Sequence, residues 1–282
     1  VPATAEIILE GFIDPSEMRL EGPFGDHTGY YSQDGDYPVF HITAITHRKN
    51  PTYLTTLVGK PPQEDFYLGK ATERIFLPLM RTQLPEIIDM NMPAEGVFHN
   101  LVIISIEKRF PMQARRLMSA LWGMGQMSFV KTIVVFDHTV DIQNTSILLD
   151  KLFDQIDFTQ DLFFSEGILD VLNHASDRAV YGSKLGIDLT KKIKGEDEFK
   201  RTLKNDNSPP SISPENIIKK FTEITSCKII EKKNSHKIVL ATIDKKLMHQ
   251  GLKLIEKFMS DDEFSLITVL IILEGHENIN DS

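Results

Sequence analysis

Cysteine is almost missing from this sequence. Cys227 is the only one in 282 residues, so no disulfide can close within the chain and no cysteine-based zinc cluster can form. That usage fits a reducing compartment, and the expected location is cytoplasmic, with peripheral contact to a membrane left open. Basic charge is also short: 31 Lys and Arg against 40 Asp and Glu leave a net charge of −9. A field of that sign repels phosphate backbones and anionic lipid surfaces, so no nucleic acid partner is expected. Long apolar runs are lacking too. The longest nearly apolar stretch, Phe264 to Leu273, has about half of the roughly 20 residues a membrane helix needs, and its β-branched content suits a buried strand. No transmembrane segment is expected. The chain opens on Val1-Pro2 without an initiator Met or a charged-then-apolar leader, which reads as a cut or processed end.

What is present is ordinary globular material, 41% hydrophobic and 25% charged, in a chain longer than one typical domain. The opening reads as β structure: Ala5 to Glu10, Val39 to His47 with strict alternation, and Thr52 to Val58 with β-branched residues. So few strands without a helix cannot bury both faces or pair their edges, which predicts part of a larger barrel or sheet. After Lys60-Pro61-Pro62 the period becomes helical, with Ala71, Ile75 and Leu79 spaced by four. Strands are then expected at Glu86 to Met92, Asn100 to Ile106, Lys131 to Phe136 and Asp161 to Phe164. Helices are expected from Pro111, placed in the first turn, and from Thr145 to Ile156. Alternation of this kind predicts an α/β layer with a partly parallel sheet.

Residues 191–214 are polar and end in Asn-Asp-Asn-Ser-Pro-Pro-Ser-Ile-Ser-Pro, the composition of a linker. Ser213 before Pro214 and Glu215 is a helix start, the hydroxyl serving as cap. From there the chain parallels its own earlier part: ERIFLPLMRTQLPEIID aligns with ENIIKKFTEITSCKIIE, and HNLVIISIEKRFPMQARRLM with HKIVLATIDKKLMHQGLKLI. Both halves read helix, strand, strand, helix, strand. Either an αββαβ unit is duplicated or two such units share apolar periodicity by necessity.

The densest special sequence is Glu21-Gly-Pro-Phe-Gly-Asp26-His27-Thr28-Gly29-Tyr30-Tyr31. Gly22, Pro23 and Gly25 make regular structure costly, so a fixed turn should hold Glu21 and Asp26 at its ends. If the two carboxyls converge, each disfavours ionisation of the other, and one could stay protonated near neutral pH as a proton donor. An acidic turn in solvent explains the same residues more simply. His41 and His47 lie too far apart on one strand for a single ion, and His99 and His236 occupy matching repeat positions, which favours a structural role. No Gly-x-Gly-x-x-Gly or Walker-type loop occurs. Gly182-Ser183-Lys184-Leu185-Gly186 reads as a surface turn, or as a flexible basic loop near an anion. Trp122-Gly-Met-Gly-Gln-Met127 reads as helix packing followed by a glycine stop.

IILEGFIDPSEMRLEGPFGDHTGYYS, YPVFHITAITHRKNPTYLTTLVGKPPQED, FLPLMRTQLPEIID and GSKLGIDLTKK together resemble the second half of UbiD-type decarboxylases (3-octaprenyl-4-hydroxybenzoate carboxy-lyase-like), over about residues 4 to 191. The resemblance reverses the balance at Glu21 and Asp26. It implies reversible non-oxidative decarboxylation of an aromatic or unsaturated acid, with prenylated FMN as cofactor, Mn2+ and K+ alongside, and a flavin prenyltransferase supplying the flavin. It makes Asp26 the proton donor, Glu21 its hydrogen-bonding partner, and Lys131 a cofactor-binding residue. The family arginine and the metal ligands match nothing in this chain. The implied fold class is α/β: residues 1–62 as the end of a split β-barrel that binds prenyl-FMN, 63–190 as an α/β domain, 191–214 as linker and 215–282 as a small repeat-like unit. A quinone-precursor, 4-hydroxybenzoate-like aromatic carboxylic acid in ubiquinone or menaquinone biosynthesis is the expected substrate, acted on by a homo-oligomer. The alternative is a non-catalytic assembly fragment lacking the flavin- and metal-binding half.

Overall fold

The computed structural model describes residues 1–174, 176, 178–196, 212–231, 237–264, 267–275 and 279. They form two compact units, one of residues 1–143 and 163–194, the other of residues 144–162 and 195–282.

The first unit opens with a long antiparallel ribbon, β1 (Ile7–Glu21) against β2 (Gly35–His47), joined by the Gly22-to-Asp34 turn. Its apolar side chains have little to cover them: Leu9, Phe12, Ile13, Leu20, Ile42 and Ile45 are all exposed. An α/β layer follows, in the order α1 (Glu64–Gln83), β3 (Ile87–Asn91), β4 (Leu101–Ile106), α2 (Gln113–Trp122) and β5 (Thr132–Asp137). In the sequence α3 (Thr145–Gln155) comes next, then β6 (Leu162–Ile168) and β7 (Tyr181–Leu189). The five-stranded sheet runs β3-β4-β5-β7-β6, with β3 antiparallel to β4, and β4, β5 and β7 parallel. Val102, Ile104, Ile106, Ile133 and Val135 alternate onto one face, where they meet Leu77 and Met80 of α1 and Leu117, Met118 and Leu121 of α2. Each such side chain contributes about 1.5–3 kcal/mol by burial. Because the opposite face is also buried at Ile103, Val134 and Phe136, β4 and β5 read as continuous apolar runs, as central parallel strands do.

The second unit carries α3 and, further on, α4 (Pro214–Lys220), β8 (Ile224–Glu231), β9 (Lys237–Ile243), α5 (Gln250–Met259) and β10 (Ile267–Glu274). Its sheet order is β10-β9-β8, with β8 antiparallel and β10 parallel to β9. That repeats the order and sense of β3, β4 and β5. Two local details recur as well. Met112 before α2 and His249 before α5 both adopt left-handed backbone, at φ 63° and 60°, which is uncommon outside glycine. The next residue in each case, Gln113 or Gln250, accepts a hydrogen bond on its Oε1 from the backbone N–H four residues before it, Arg109 or Lys246. Phe221, Phe258 and Phe264 form the heart of this unit's core, with ring centroids 4.9–5.4 Å apart. Ser213 caps α4 as expected, its hydroxyl accepting from Asn216 N–H at 3.3 Å.

Three expectations from the sequence are corrected. Thr52 to Val58 is not a strand: it has no ladder partner and its Tyr53, Leu54 and Leu57 are exposed. Pro111 stands two residues ahead of α2, because Met112 turns left-handed before the helix starts. The Gly182-to-Gly186 run is neither a surface turn nor a flexible loop; it is the middle of β7. There Lys184 is buried and donates to the carbonyls of Ser128 and Val130 at 2.6 and 2.9 Å. Among the described residues the opening segment is a two-stranded ribbon. His236 and most of the 191–214 linker lie outside the described residues.

Candidate active site

The turn between β1 and β2 builds the site. Glu21 ends β1 opposite Gly35, and Gly22 follows at φ +94°, a conformation an L side chain rarely adopts. Gly25 and Tyr31 pair as an isolated bridge, Asp26 N–H donates to the Tyr30 carbonyl at 3.0 Å, and Ser32 N–H donates to the Phe24 carbonyl at 2.8 Å. This closed loop drives Asp26 inward, where it is buried.

The Asp26 carboxylate is surrounded by donors. Oδ1 accepts from the His27 backbone N–H at 2.6 Å and lies 2.9 Å from His27 Nδ1. Oδ2 accepts from the Thr28 hydroxyl at 2.8 Å and lies 3.4 Å from His174 Nε2. Burial pushes its pKa up, yet the Thr28 hydroxyl, the His27 charge and backbone N–H, and His174 outweigh it, so the carboxyl sits below its usual range. The expected convergence of two carboxyls is not found in this chain. Glu21 is exposed, and among the described residues its side chain makes no hydrogen bond. Five residues of turn carry Asp26 inward while the strand end leaves Glu21 outside. Like-charge repulsion from Glu21 therefore does not act on Asp26 in this chain.

Lys131 precedes β5, and its Nζ donates to Asn173 Oδ1 at 3.4 Å. Asn173 is followed by His174, which reaches Asp26, so Lys131 and Asp26 touch consecutive residues of one loop. Beside Lys131 two buried polar atoms have no partner, Asn100 Oδ1 and Asn173 Nδ2, while the Asn100 carbonyl accepts from Lys131 N–H at 3.1 Å. Unpaired buried polar atoms of this kind are uncommon. No group of three or more His, Cys, Asp or Glu placed to hold a metal occurs among the described residues.

Sequence reasoning passed over His99, assigning it a structural role. Its Nε2 lies 2.8 Å from His27 Nε2, and Phe98 packs on His27 with ring centroids 5.0 Å apart. Burial pushes the His99 pKa below its ordinary value against the pull of Asp170. The adjacency of His27 to Asp26 was the available signal; nothing in the sequence joined residue 27 to residue 99. His99 and Asp170 also line a cavity of about 530 Å³ whose walls include Met80, Met90, Met92, Met124, Met127 and Phe76.

Known proteins resemble this chain in sequence and fold. Residues 1–61 match the 3-octaprenyl-4-hydroxybenzoate carboxy-lyase Rift-related domain, and residues 66–189 match the C-terminal domain of the same family. An uncharacterized protein of Archaeoglobus fulgidus is 52% identical over 197 residues, covering 70% of this chain and 41% of its own length. Among solved structures, the UbiD-class enzyme HmfF of Pelotomaculum thermopropionicum, in complex with FMN, is 30% identical with a TM-score of 0.58, covering 75% of this chain and 46% of that one. An evolved dimeric form of the same enzyme, in complex with prFMN, is 29% identical with a TM-score of 0.55, covering 75% and 44%. The vanillic acid decarboxylase of Sedimentibacter hydroxybenzoicus in closed form is 26% identical with a TM-score of 0.65, covering 79% and 46%. The chain thus spans less than half the length of each of these relatives. With two family domains matched in order over most of its length, the chain belongs to the UbiD, or 3-octaprenyl-4-hydroxybenzoate carboxy-lyase, family.

Proposed function

We propose that this chain supplies the proton-handling side of a prenyl-flavin decarboxylase, which releases carbon dioxide reversibly and without oxidation from an aromatic, quinone-precursor acid of the 4-hydroxybenzoate type. Asp26 carries the proton to the carbon that the carboxylate leaves, and Glu21 joins it as a hydrogen-bonding partner in the assembled enzyme. One observation carries the reading: Asp26 is the buried acid of the turn, held by three donors, one of them His174, whose neighbour Asn173 accepts from Lys131. The placement of the reaction in ubiquinone or menaquinone biosynthesis, a flavin prenyltransferase as cofactor supplier, and a homo-oligomeric assembly belong to the same proposal. So does the origin of the second unit as a duplicate of the αββαβ unit, which the recurring sheet order and the paired Met112 and His249 turns support.

The flavin, when bound, supplies the electron sink for loss of carbon dioxide. The residues present fit its margin: Lys131 offers a cation, and Asn100 Oδ1 and Asn173 Nδ2 offer unused acceptor and donor atoms. Mn2+ and K+ find no such set among the described residues, so their ligands are proposed to lie outside this chain and no step is derived through them. The uncovered side chains of β1 and β2 are where the rest of a split barrel would pack.

Within the chain the chemistry follows from protonation. Asp26 is held as a carboxylate, the form that the carboxylation direction needs; in decarboxylation it must be loaded with a proton before it can give one. Thr28 and the His27 N–H fix its orientation, so the proton is offered from one place. The test is Asp26→Asn in the assembled enzyme. Release of carbon dioxide should fall by about 10²-fold or more while the flavin stays bound, and full activity in that variant would refute the assignment.

A further inference from the structure

The second unit follows the first strand for strand as far as β10, and the cover that the first unit adds beyond that point is missing from it. Continued without a gap, the paired sequences set Arg115, Met118 and Trp122 of α2 opposite Leu252, Ile255 and Met259 of α5, and Phe136 of β5 opposite Leu273 of β10. In the first unit this side of the helix and strand is covered. β7 pairs in parallel along the outer edge of β5, and Met118 packs on Gly186 of β7. The Phe163 ring of β6 lies 5.8 Å from the Trp122 ring and 5.6 Å from the Arg115 guanidinium. Met118, Ile133, Val134, Val135 and Phe136 are buried as a result.

In the second unit the counterparts are open. Among the described residues no strand pairs with the outer edge of β10. Ile279, beyond it, meets β8 instead, its carbonyl accepting from Lys228 at 3.2 Å. Leu252, Met259 and Ile271 are 54%, 59% and 38% exposed, and Met248, just ahead of α5, is 80% exposed. Met248, Leu252, Ile255 and Met259 follow one another at intervals of four, three and four, so they form one apolar stripe along the helix. The edge strand carries Val269-Leu-Ile-Ile-Leu273, without a charge or a proline, two of the devices that keep an edge from pairing.

We propose that two copies of the chain meet here, about a two-fold axis beside Ile271 that pairs β10 antiparallel with the copy's β10 and lays α5 against the copy's α5. Both contacts form together. A Cβ on Gly251 would stand 4.0 Å from Ile243 of β9 and 4.0 Å from Ile272 of β10, so α5 lies over the gap between these strands. With strands about 4.8 Å apart in a continued sheet, the copy's helix comes about 10 Å from α5, within the range at which helices pack. The levels agree as well. α5 crosses back between two parallel strands, so it runs opposite to β10. The step from Ile272 to Ile271 is about 3.3 Å, or about two residues of α5 beyond Gly251 at about 1.5 Å each. That reaches Lys253, the middle of the stripe. The stripe also complements itself, as an isologous contact requires. With Leu252 against the copy's Ile255, Met248 meets the copy's Met259. Glu256 then comes to the first turn of the copy's α5, where a helix N-terminus favours a carboxylate. The interface depends on neither Asp26 nor the flavin.

The test joins the copies across the axis. In the full-length protein carrying Cys227→Ser and Ile271→Cys, mild oxidation should give a covalent dimer, and mass spectrometry of its digest should find position 271 of one copy bonded to position 271 of the other. Cys227→Ser with Glu231→Cys, at the exposed end of β8, is the control and should form no such bond at position 231. Adding Leu252→Lys and Met259→Lys to the Ile271→Cys protein sets charge against the copy's apolar side chains and should slow the linking by about 10²-fold. Both side chains are exposed, so the second unit keeps its fold. Absence of the 271-to-271 bond, or linking no faster than in the Glu231→Cys control, would overturn the proposal and give the surface to a different partner. Linking that the two lysines leave unchanged would overturn it too. A protein that links as expected but decarboxylates no aromatic acid would refute the proposed function and leave this interface standing.

Discussion

Replacing Lys184 by methionine separates what its hydrogen bonds add from what burying its charge costs. The Lys184 ammonium is buried on β7, donates to the Ser128 and Val130 carbonyls, and stands 5.9 Å from the Trp122 ring centroid. Burial lowers its pKa from 10.5 to about 8, which corresponds to about 3 kcal/mol of charged-state penalty at neutral pH. Two hydrogen bonds from a charged donor offset this by about 3–6 kcal/mol. The difference makes Lys184→Met less stable than wild type at pH 7 by about 1–2 kcal/mol, with the Ser128 carbonyl losing its side-chain donor. The pH dependence is sharper. Between about pH 8 and 10.5 the unfolded lysine holds a proton that the folded one has released, so wild-type stability rises with pH in that window. The neutral amine retains two N–H groups for the two carbonyls. The gap between wild type and Lys184→Met should therefore widen by up to about 3 kcal/mol from pH 7 to pH 10. Denaturant titrations followed by the fluorescence of Trp122, the only tryptophan, measure that gap directly. A gap that stays constant across the window would refute the reasoning.

Other perturbations read other parts of the structure. Glu73 is fully buried and bonded to Lys70 at 2.8 Å, to Arg74 at 2.6 Å and to the Met92 N–H; Glu73→Ala should cost about 1–3 kcal/mol in denaturant unfolding by leaving the Met92 N–H without its acceptor, and Glu73→Gln less. Phe258→Ala removes the centre of the three-ring cluster of the second unit and should cost about 3–5 kcal/mol, seen as early loss of amide protection in β8 to β10 while β4 and β5 stay protected. Because the Asp26 pKa is lowered, its contribution to stability is present above the ordinary carboxyl value and is lost as pH falls through the folded value. The denaturant midpoint of Asp26→Asn should accordingly fall less steeply with acid than that of wild type.

The elements most legible in the sequence were those whose environment is uniform. β4 and β5 are buried on both faces and announce themselves as apolar runs, and α2 shows a clear apolar side at Ala114, Leu117, Met118 and Leu121. β7 was hidden because two glycines and a lysine disguise it. Gly186 leaves room for Met118 of α2 to approach the strand, and Lys184 is neutralised in effect by two carbonyls that no pattern in the sequence reveals. Thr52 to Val58 failed in the opposite way, since β-branched residues favour a strand only where a neighbouring strand exists to pair with. At the site, the acidic turn could be read from its glycines and proline, but which carboxyl enters the interior could not: Glu21 and Asp26 look equivalent in sequence and are separated by the closing bonds of Phe24, Tyr30 and Ser32. His99 needed tertiary contact to be found at all.

The central claim is that Asp26 hands the proton to the carbon from which the carboxylate departs. The most direct measurement is decarboxylation by the full-length, flavin-loaded protein in D2O, with the product analysed for deuterium, for wild type and Asp26→Asn. The account predicts one deuterium at the vacated carbon for wild type, and for Asp26→Asn a retained flavin spectrum with product formation lowered by about 10²-fold or more. Deuterated product formed by Asp26→Asn at the wild-type rate would contradict it.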